Sequence, residues 1–460
     1  MELKCLDRFD LGIGLGFVRS ASMDLGGREG MFFLYSDGSS ADPGEELFEY
    51  AGLRPVRLAV FEADGTRLWE KVLPHGVIAG PWFVPAVPFD LDGDGVDEVY
   101  YVNNTGAPFS FMHRKLERLD GLTGELTGVR PWPQNTFDER MSLSYRFYIV
   151  AGYAHGEPVL VTCQGTYGSM YLQGWSGDLV PRWETVIRAS DPGPRASHMT
   201  PVMDINGDGV DELFWGERLI SLDDGHEVFD YAPEYDGHSD VITPLMDYRT
   251  GEIYIYTCRE GGERPGQQRV YTFRAGGGAA WSALETGHIH TGWGANVRLP
   301  DEQSDGKIVM AMRQHFVPDD TGFNHEVDGV FYYDAFTGEE ADFRPEVRGD
   351  KLYPVDLNGD GLHEFLVGEG ERTGDVLGPD GRMAGHMGVR CFRVGKTLGH
   401  AGEQIMGIGA DGRSVEIWGD ADARDGEIMK IRYGLPYLPF MQKLMATGYN
   451  SAGSQAACGI

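Results

Sequence analysis

The stretch Asp90-Leu-Asp-Gly-Asp-Gly-Val-Asp-Glu98 decides how this chain reads. It returns as Asp204-Ile-Asn-Gly-Asp-Gly-Val-Asp-Glu212 and as Asp356-Leu-Asn-Gly-Asp-Gly-Leu-His-Glu364. Each copy follows an apolar or proline-bearing lead (VPAVPF, MTPVM, LYPV) and runs into a β-rich segment (VYYV, LFWG, FLVG). Oxygen-bearing side chains stand at alternate positions, two glycines lie between them, and a carboxylate closes the loop. Calcium takes about six to eight oxygen ligands from loops of this composition. Asp90, Asp92 and Asp94 read as side-chain ligands, Val96 as a carbonyl ligand and Glu98 as the closing carboxylate. By the same register the second loop supplies Asp204, Asn206, Asp208, Val210 and Glu212. The third supplies Asp356, Asn358, Asp360, Leu362 and Glu364. Asn at 206 and 358 keeps an oxygen donor, and the glycines reach backbone conformations that other residues avoid. An EF-hand is excluded, because no Glu stands at the twelfth loop position and no helical periodicity flanks the loops. A solvated acidic turn would explain one copy. Three copies in register, each before a strand, point to calcium.

Weaker relatives extend the series. They open at Asp24 (DLGGREGMFFLYSDG), Asp247 (DYRTGEIYIYT), Asp301 (DEQSDGKIVMAM) and Gly395 (GKTLGHAGEQIMGIG), with GYAHGEPVLVTC (152–163) filling the remaining slot. The units recur every ~40–65 residues, a propeller-like period. Later in most units, two apolar runs flank an Asp-Gly or Thr-Gly turn, as in LAVFEADGTRLWEKV (58–72) and LISLDDGHEVFDY (219–231). That is a strong short-range hairpin signal. Each unit therefore reads as inner strand, loop, second strand and outer hairpin, which is one four-stranded blade. The expected fold is all-β: a single β-propeller of seven or eight blades over residues 1–460, in which the blades need one another for burial. The stretches 128–142 and 259–268 read as surface insertions, and a short amphipathic stretch is expected near Leu438–Leu444.

Composition sets limits. The 460 residues carry a net charge of −32, which argues against a nucleic-acid surface, since phosphate contacts need clustered Lys and Arg. No apolar run approaches the ~20 residues of a membrane span. The start, Met1-Glu-Leu-Lys-Cys-Leu-Asp-Arg8, lacks the pattern of a signal peptide. A cytoplasmic location is therefore expected, although a trimmed secreted chain would read the same. The cysteines at 5, 163, 258, 391 and 458 are scattered and odd in number, which is no disulfide framework. A monomer is the expected state.

The order of segments resembles the β-propeller polysaccharide lyases: the rhamnogalacturonan lyases of family 11 and the related ulvan-type lyases of families 24 and 25. The resemblance rests on residues 152–183 (GYAHGEPVLVTCQGTYGSMYLQGWSGDLVPRW), 197–225 (SHMTPVMDINGDGVDELFWGERLISLDDG), 236–247 (DGHSDVITPLMD), 292–302 (GWGANVRLPDE) and 437–450 (YLPFMQKLMATGYN), the last fitting the family's final blade. It implies cleavage of a rhamnose- and uronate-containing acidic glycan by β-elimination, leaving a 4,5-unsaturated sugar, with structural calcium. The partner is then an acidic poly- or oligosaccharide, with no role for nucleic acid or membrane.

β-Elimination needs a cation or donor cluster for the carboxylate, a base for the C5 proton and an acid for the leaving oxygen. In Gln164-Gly-Thr-Tyr-Gly-Ser-Met-Tyr171, two glycines turn the chain so that a side chain can face the centre. The resemblance makes Tyr167 the acid or base, with Tyr171 as its substitute in contact with substrate. Either also reads as an ordinary strand aromatic. Arg182 stands before Trp183 where other hairpins carry an apolar residue, and reads as carboxylate neutraliser or as a surface arginine. The ulvan-type lyases use a histidine from the region of His113, which becomes a candidate base beside the reading of an exposed side chain. Arg146 and His155 are reserves. His198 and His238 precede inner strands, where entry positions gather around a propeller's channel, and are expected to contact substrate or metal. A second metal, zinc, would draw on His238, Cys258, His288 and His290, since Cys and His are its usual ligands and His-x-His puts both rings on one strand face. The alternative there is a buried free cysteine with unrelated histidines. Two other functions compete with the lyase: a non-catalytic calcium propeller that binds glycan or protein, and a glycoside hydrolase on the same scaffold.

Overall fold

The computed structural model describes all residues except 42–53, 109, 111, 135–142, 144, 231–236, 261–266, 318–323, 436 and 445–460. The described residues form eight sheets. Blade 1 is β2 (Phe17–Asp24), β3 (Glu29–Ser36), β4 (Arg57–Glu62) and β5 (Arg67–Val72). Blade 2 is β6 (Ala86–Phe89), β7 (Glu98–Asn104), β8 (Arg114–Leu119) and β9 (Leu126–Pro131). Blade 3 is β10 (Phe147–Ala154), β11 (Glu157–Gln164), β12 (Met170–Trp175) and β13 (Pro181–Ile187). Blade 4 is β15 (Val202–Met203), β16 (Glu212–Trp215), β17 (Arg218–Ser221) and β18 (Glu227–Asp230).

Blade 5 has five strands. Its β14 (Pro194–Ser197) runs parallel to β19 (Gly237–Met246), followed by β20 (Ile253–Arg259), β21 (Val270–Arg274) and β22 (Ala279–Ala283). Blade 6 has three: β23 (His288–Asn296), β24 (Lys307–Val317) and β25 (Asn324–Asp334). Blade 7 is β26 (Leu352–Val355), β27 (Glu364–Val367), β28 (Asp375–Leu377) and β29 (Met383–His386). In blade 8, β30 (Arg390–Gly395), β31 (Gln404–Ile408) and β32 (Ser414–Asp420) are completed by β1 (Leu3–Asp10), so the chain's first strand closes the ring. The blade count is thus eight. Of the expected insertions, residues 126–131 are instead the outer strand of blade 2, and 135–142 and 261–266 lie outside the described residues.

Two repeated devices join neighbouring blades. In the first, an outer-strand tryptophan lies on a turn glycine of the next blade. Trp69, Trp183 and Trp281 donate their indole N–H to the carbonyls of Gly121, Leu222 and Ala335 at 2.8, 2.8 and 2.9 Å. Their rings cover Gly124, Gly225 and Gly338, which all have positive φ (71°, 74° and 73°), so a Cβ would meet both the ring and a strained backbone. This is the physical reason for the Thr-Gly and Asp-Gly turns. In the second device, a residue one or two positions before strand two of one blade binds the end of strand one or the first turn of the blade before it. Asp97 accepts from Asp24 N–H, Asp211 from Tyr153 N–H and Asp305 from Tyr248 N–H, each at 2.7 Å. His363 Nδ1 and the Glu403 carboxylate do the same for Asn296 and Asp356 at 2.9 and 2.8 Å. The eighth residue of the acidic nonamer is therefore a clasp.

Strand alternation separates the turns. Turns between first and second strands, which include the three acidic loops, share one face with the outer hairpins. Turns between second and third strands share the other face with the connections between blades. Two helices, α1 (Glu427–Gly434) and α2 (Leu438–Lys443), lie against the loop face. Arg432 pairs with Glu403 at 3.2 Å, Lys443 pairs with Asp97, and Phe440 meets Phe89 edge-on. The short stretch expected near Leu438–Leu444 is α2, so the described part of 437–450 belongs to a helical plug.

Candidate functional site

On the face opposite the plug, the entries of several blades bring distant residues together. Arg146 precedes β10, Tyr167 lies in the β11–β12 turn, His198 follows β14, His238 and Asp240 open β19, Glu260 follows β20, and His288 and His290 open β23. The turn at Tyr167 is held locally. Gly165 N–H donates to the Arg146 carbonyl at 2.9 Å, and Tyr167 N–H donates to the Arg195 carbonyl at 3.3 Å. Tyr167 has φ +66°, a left-handed conformation that a bulky residue rarely adopts. Such strain persists where the surroundings over-determine it, as at functional sites.

The Tyr167 hydroxyl donates to Glu260 at 2.9 Å and lies 3.3 Å from His198 Nε2. Its ring stacks on His238, centroids 4.0 Å apart, and the Arg146 guanidinium stands 5.2 Å from its centre. Arg146 is also 4.8 Å from the Trp82 ring, so two aromatic faces fix it. Asp240, fully enclosed, faces His198 Nδ1 at 3.2 Å, His238 Nε2 at 3.7 Å and His288 Nε2 at 3.8 Å. His238 Nδ1 bonds the Arg195 carbonyl at 3.0 Å, so this nitrogen carries the proton and Nε2 keeps its lone pair toward Asp240.

Burial sets the protonation states. It pushes the Tyr167 phenol up, with the Glu260 and Asp240 charges adding to the shift. It holds His198 well below the usual imidazole range, helped by His238 and Arg146, and lowers His238 to about 3. It raises the Asp240 carboxyl, and raises Glu260 to about 8 with the Asp240 charge second. Burial thus favours the neutral forms of the Tyr167 phenol and of the His198 and His238 imidazoles.

The expected residues divide. Tyr167, His198 and His238 come together, as do His288 and His290. Tyr171 sits in β12 opposite Gln164, one strand further out. Arg182 is a correction: it lies on the outer strand β13, exposed, and pairs with Asp223 of blade 4 at 2.9 Å on the loop-face side. Arg146, adjoining the central turn, has the position that Arg182 was expected to fill. His113 is on the correct face, but it is an exposed turn residue packed beside Gly106. His155 is in a loop-face turn, where its N–H donates to the Gly209 carbonyl at 2.7 Å. The zinc set is not assembled as expected. The Cys258 thiol lies 3.2 Å from the Tyr256 hydroxyl in apolar packing with Val241 and Ile289. Asp240 faces the histidines instead. Two donor groups, His198–His238–Asp240 and Asp240–His288–His290, have their ligand atoms within 4.8 Å of one another, a spacing suited to metal binding.

Asp240 and Glu260 were missed. Asp240 had a signal, since His238-Ser-Asp240 puts both side chains on one face of a strand. Glu260 follows a strand in a polar stretch and had none.

The acidic loops fit a hard cation. Asp90, Asp92 and Asp94 converge within 4.8 Å, although Asp90 already accepts N–H from Gly93 and Gly95 at 2.7 and 2.9 Å. In the other two, Asn206 Nδ2 points to Asp208 and Asn358 Nδ2 to Asp360, both at 3.1 Å. Turning the amide presents oxygen to the same point, a choice that the surroundings of the amide decide.

Comparison with known proteins bears on the whole arrangement. No family model matches the chain. The rhamnogalacturonan exolyase YesX of Bacillus subtilis is 28% identical over 43% of this chain and 41% of its own length. The chain is similar to the rhamnogalacturonan lyases. The endolyase YesW of the same organism is 25% identical over 36% of this chain and 32% of its own length. These matches span less than half of the curated relatives. Among solved structures, YesX superposes with a TM-score of 0.71 at 18% identity, covering 95% of this chain and 80% of that one. A rhamnogalacturonan lyase of Bacillus licheniformis gives 0.72 at 17% identity, covering 99% and 84%. The likeness to the solved structures establishes the shared propeller fold.

Proposed function

We propose that this chain is a polysaccharide lyase that cuts an acidic, rhamnose-containing glycan beside a uronic acid by β-elimination. The observation that carries the reading is the Tyr167–His198 pair, 3.3 Å apart, beside the fixed guanidinium of Arg146. Arg146 neutralises the uronate carboxylate and stabilises the enolate-like charge. Neutral His198 takes the C5 proton through Nε2. The C5–H electrons form the C4=C5 bond as the C4–O4 bond breaks, and the Tyr167 phenol gives its proton to O4. Asp240, 3.2 Å from Nδ1, supports the imidazolium. The imidazolium and phenolate then face each other, so the proton can return directly and reset the site. The test follows the ultraviolet absorbance of the conjugated C4=C5 product on rhamnogalacturonan, ulvan and their oligosaccharides. Reducing ends without that absorbance would replace the lyase with a hydrolase. Glycan binding without turnover would leave a binding propeller.

The three acidic loops are assigned to calcium, with a structural role. A divalent ion at Asp240 and its histidines, zinc included, is a second reading of the central cluster, supported by the 4.8 Å spacing of the donors. Elemental analysis separates the two readings: one tightly held zinc per chain would make His198 or its neighbours ligands and remove His198 as base.

A further inference from the structure

Arg393 lies on the inner strand of blade 8 and is 2% exposed. One amino group donates to the Ser20 carbonyl of blade 1 at 3.1 Å. Its Nε and its other amino group, Nη2, have no hydrogen-bond partner among the described residues. Those two donors share one edge of the guanidinium, the edge that takes carboxylate or phosphate in bidentate fashion. Two other buried arginines, by contrast, pair with carboxylates: Arg432 with Glu403 at 3.2 Å and Arg259 with Glu217 at 3.2 Å. The contrast extends to proton affinity. Carboxylates and tyrosines hold Arg432 up, whereas burial pulls Arg393 down to about 10, with only the Tyr433 phenol opposing it. A buried cation without a counter-charge is costly. In a chain of net charge −32, acidic side chains are abundant, yet none pairs with this guanidinium among the described residues.

A cavity of about 460 Å³ adjoins it, between blade 1, blade 8 and the helical plug. Its lining includes Arg393, Lys396, Thr397 and Lys443 and also two carboxylates, Asp24, which accepts from Gly27 N–H, and Glu29. Lys396 already pairs with Asp425 at 2.8 Å and Lys443 with Asp97, so the unmatched donors are those of Arg393. We propose that this cavity binds a small oxyanion, a carboxylate or a tetrahedral sulfate or phosphate, on the Nε–Nη2 edge of Arg393. The ligand would join the first blade, the last blade and the plug, on the face opposite the Tyr167 cluster.

The test is thermal unfolding of the full chain in sulfate and, separately, in galacturonate, against chloride at equal ionic strength. The expected result is a saturable rise of about 2 °C or more in at least one arm, absent from Arg393→Gln. A rise in sulfate alone identifies an inorganic anion; a rise in galacturonate alone identifies a sugar carboxylate. Isothermal titration of the unaltered chain with the same ions keeps the test valid if the variant folds poorly. No rise and no binding heat in either ion, or an equal rise in Arg393→Gln, would overturn the proposal. The readout uses no turnover, so it stands apart from the lyase reading.

Discussion

The two faces of this propeller are built by opposite rules. On the loop face, the polar groups of the repeated loops are satisfied locally and by repetition, in contrast to the Arg393 edge in its cavity. Asp90, Asp204 and Asp356 each accept N–H groups from their own loops, and the next acidic or histidine residues clasp neighbouring blades. On the other face the contacts among the described residues do not follow that repeat. Tyr167, His198, Asp240 and Glu260 come from different connections, and their contacts cross from blade 3 to blade 5. The difference teaches where stability and chemistry are held: repeated loops fix the ring, and the unrepeated connections are free to assemble a site.

The largest test of that division is Tyr167→Phe. It removes one hydroxyl and leaves the ring on His238, so we expect turnover to fall by about 10²–10⁴-fold, as for loss of a proton donor. The melting temperature should barely move. A variant that keeps its activity would dismiss Tyr167 as the acid.

This asymmetry also explains what was legible in sequence. Blade register was readable because Asp90–Glu98 and its copies repeat within 460 residues, and repetition separates signal from ordinary acidic turns. Tyr167 was readable because a Gly-flanked turn in a resembling segment singled it out. Arg182 left two readings open, carboxylate neutraliser or surface arginine, and its pairing with Asp223 in the adjacent hairpin fits the second. Cys258 misled because strand alternation does not tell which face of blade 5 looks into the channel. Glu260 was invisible, since its role depends on a contact 93 residues away in sequence.

On the loop face the corresponding test is calcium removal. Each loop should contribute about 2.7 kcal/mol when free calcium is a hundredfold above its dissociation constant. We therefore expect a chelator to lower the melting temperature in proportion to the loops emptied. Activity should persist wherever the ring stays folded. An unchanged melting temperature would remove calcium from the fold.

A smaller effect is expected from Gly225→Ala. The added methyl meets the Trp183 ring at a residue with φ +74°. Overpacking of this kind costs about 1–3 kcal/mol, and the left-handed backbone adds about 1 kcal/mol for a residue with a Cβ. Urea unfolding would read it as a lower midpoint at unchanged slope, with turnover per folded molecule unchanged. A fall in turnover at full folding would mean that the faces are coupled through blade 3.

The smallest effect belongs to Arg182→Ala, and it is the sharpest check on the geometry. Arg182 and Asp223 are exposed partners at 2.9 Å, and exposed ion pairs contribute about 0–1 kcal/mol. If the carboxylate of the substrate is met by Arg146, the variant should match the unaltered chain in kcat/KM and lose at most that small stability. Arg146→Met should instead lose most of kcat/KM, because its guanidinium is held between Trp82 and Tyr167, beside the proposed proton-transfer pair. Equal losses from both variants would mean that substrate reaches the outer strand of blade 3, and the separation of the faces would fail at that blade.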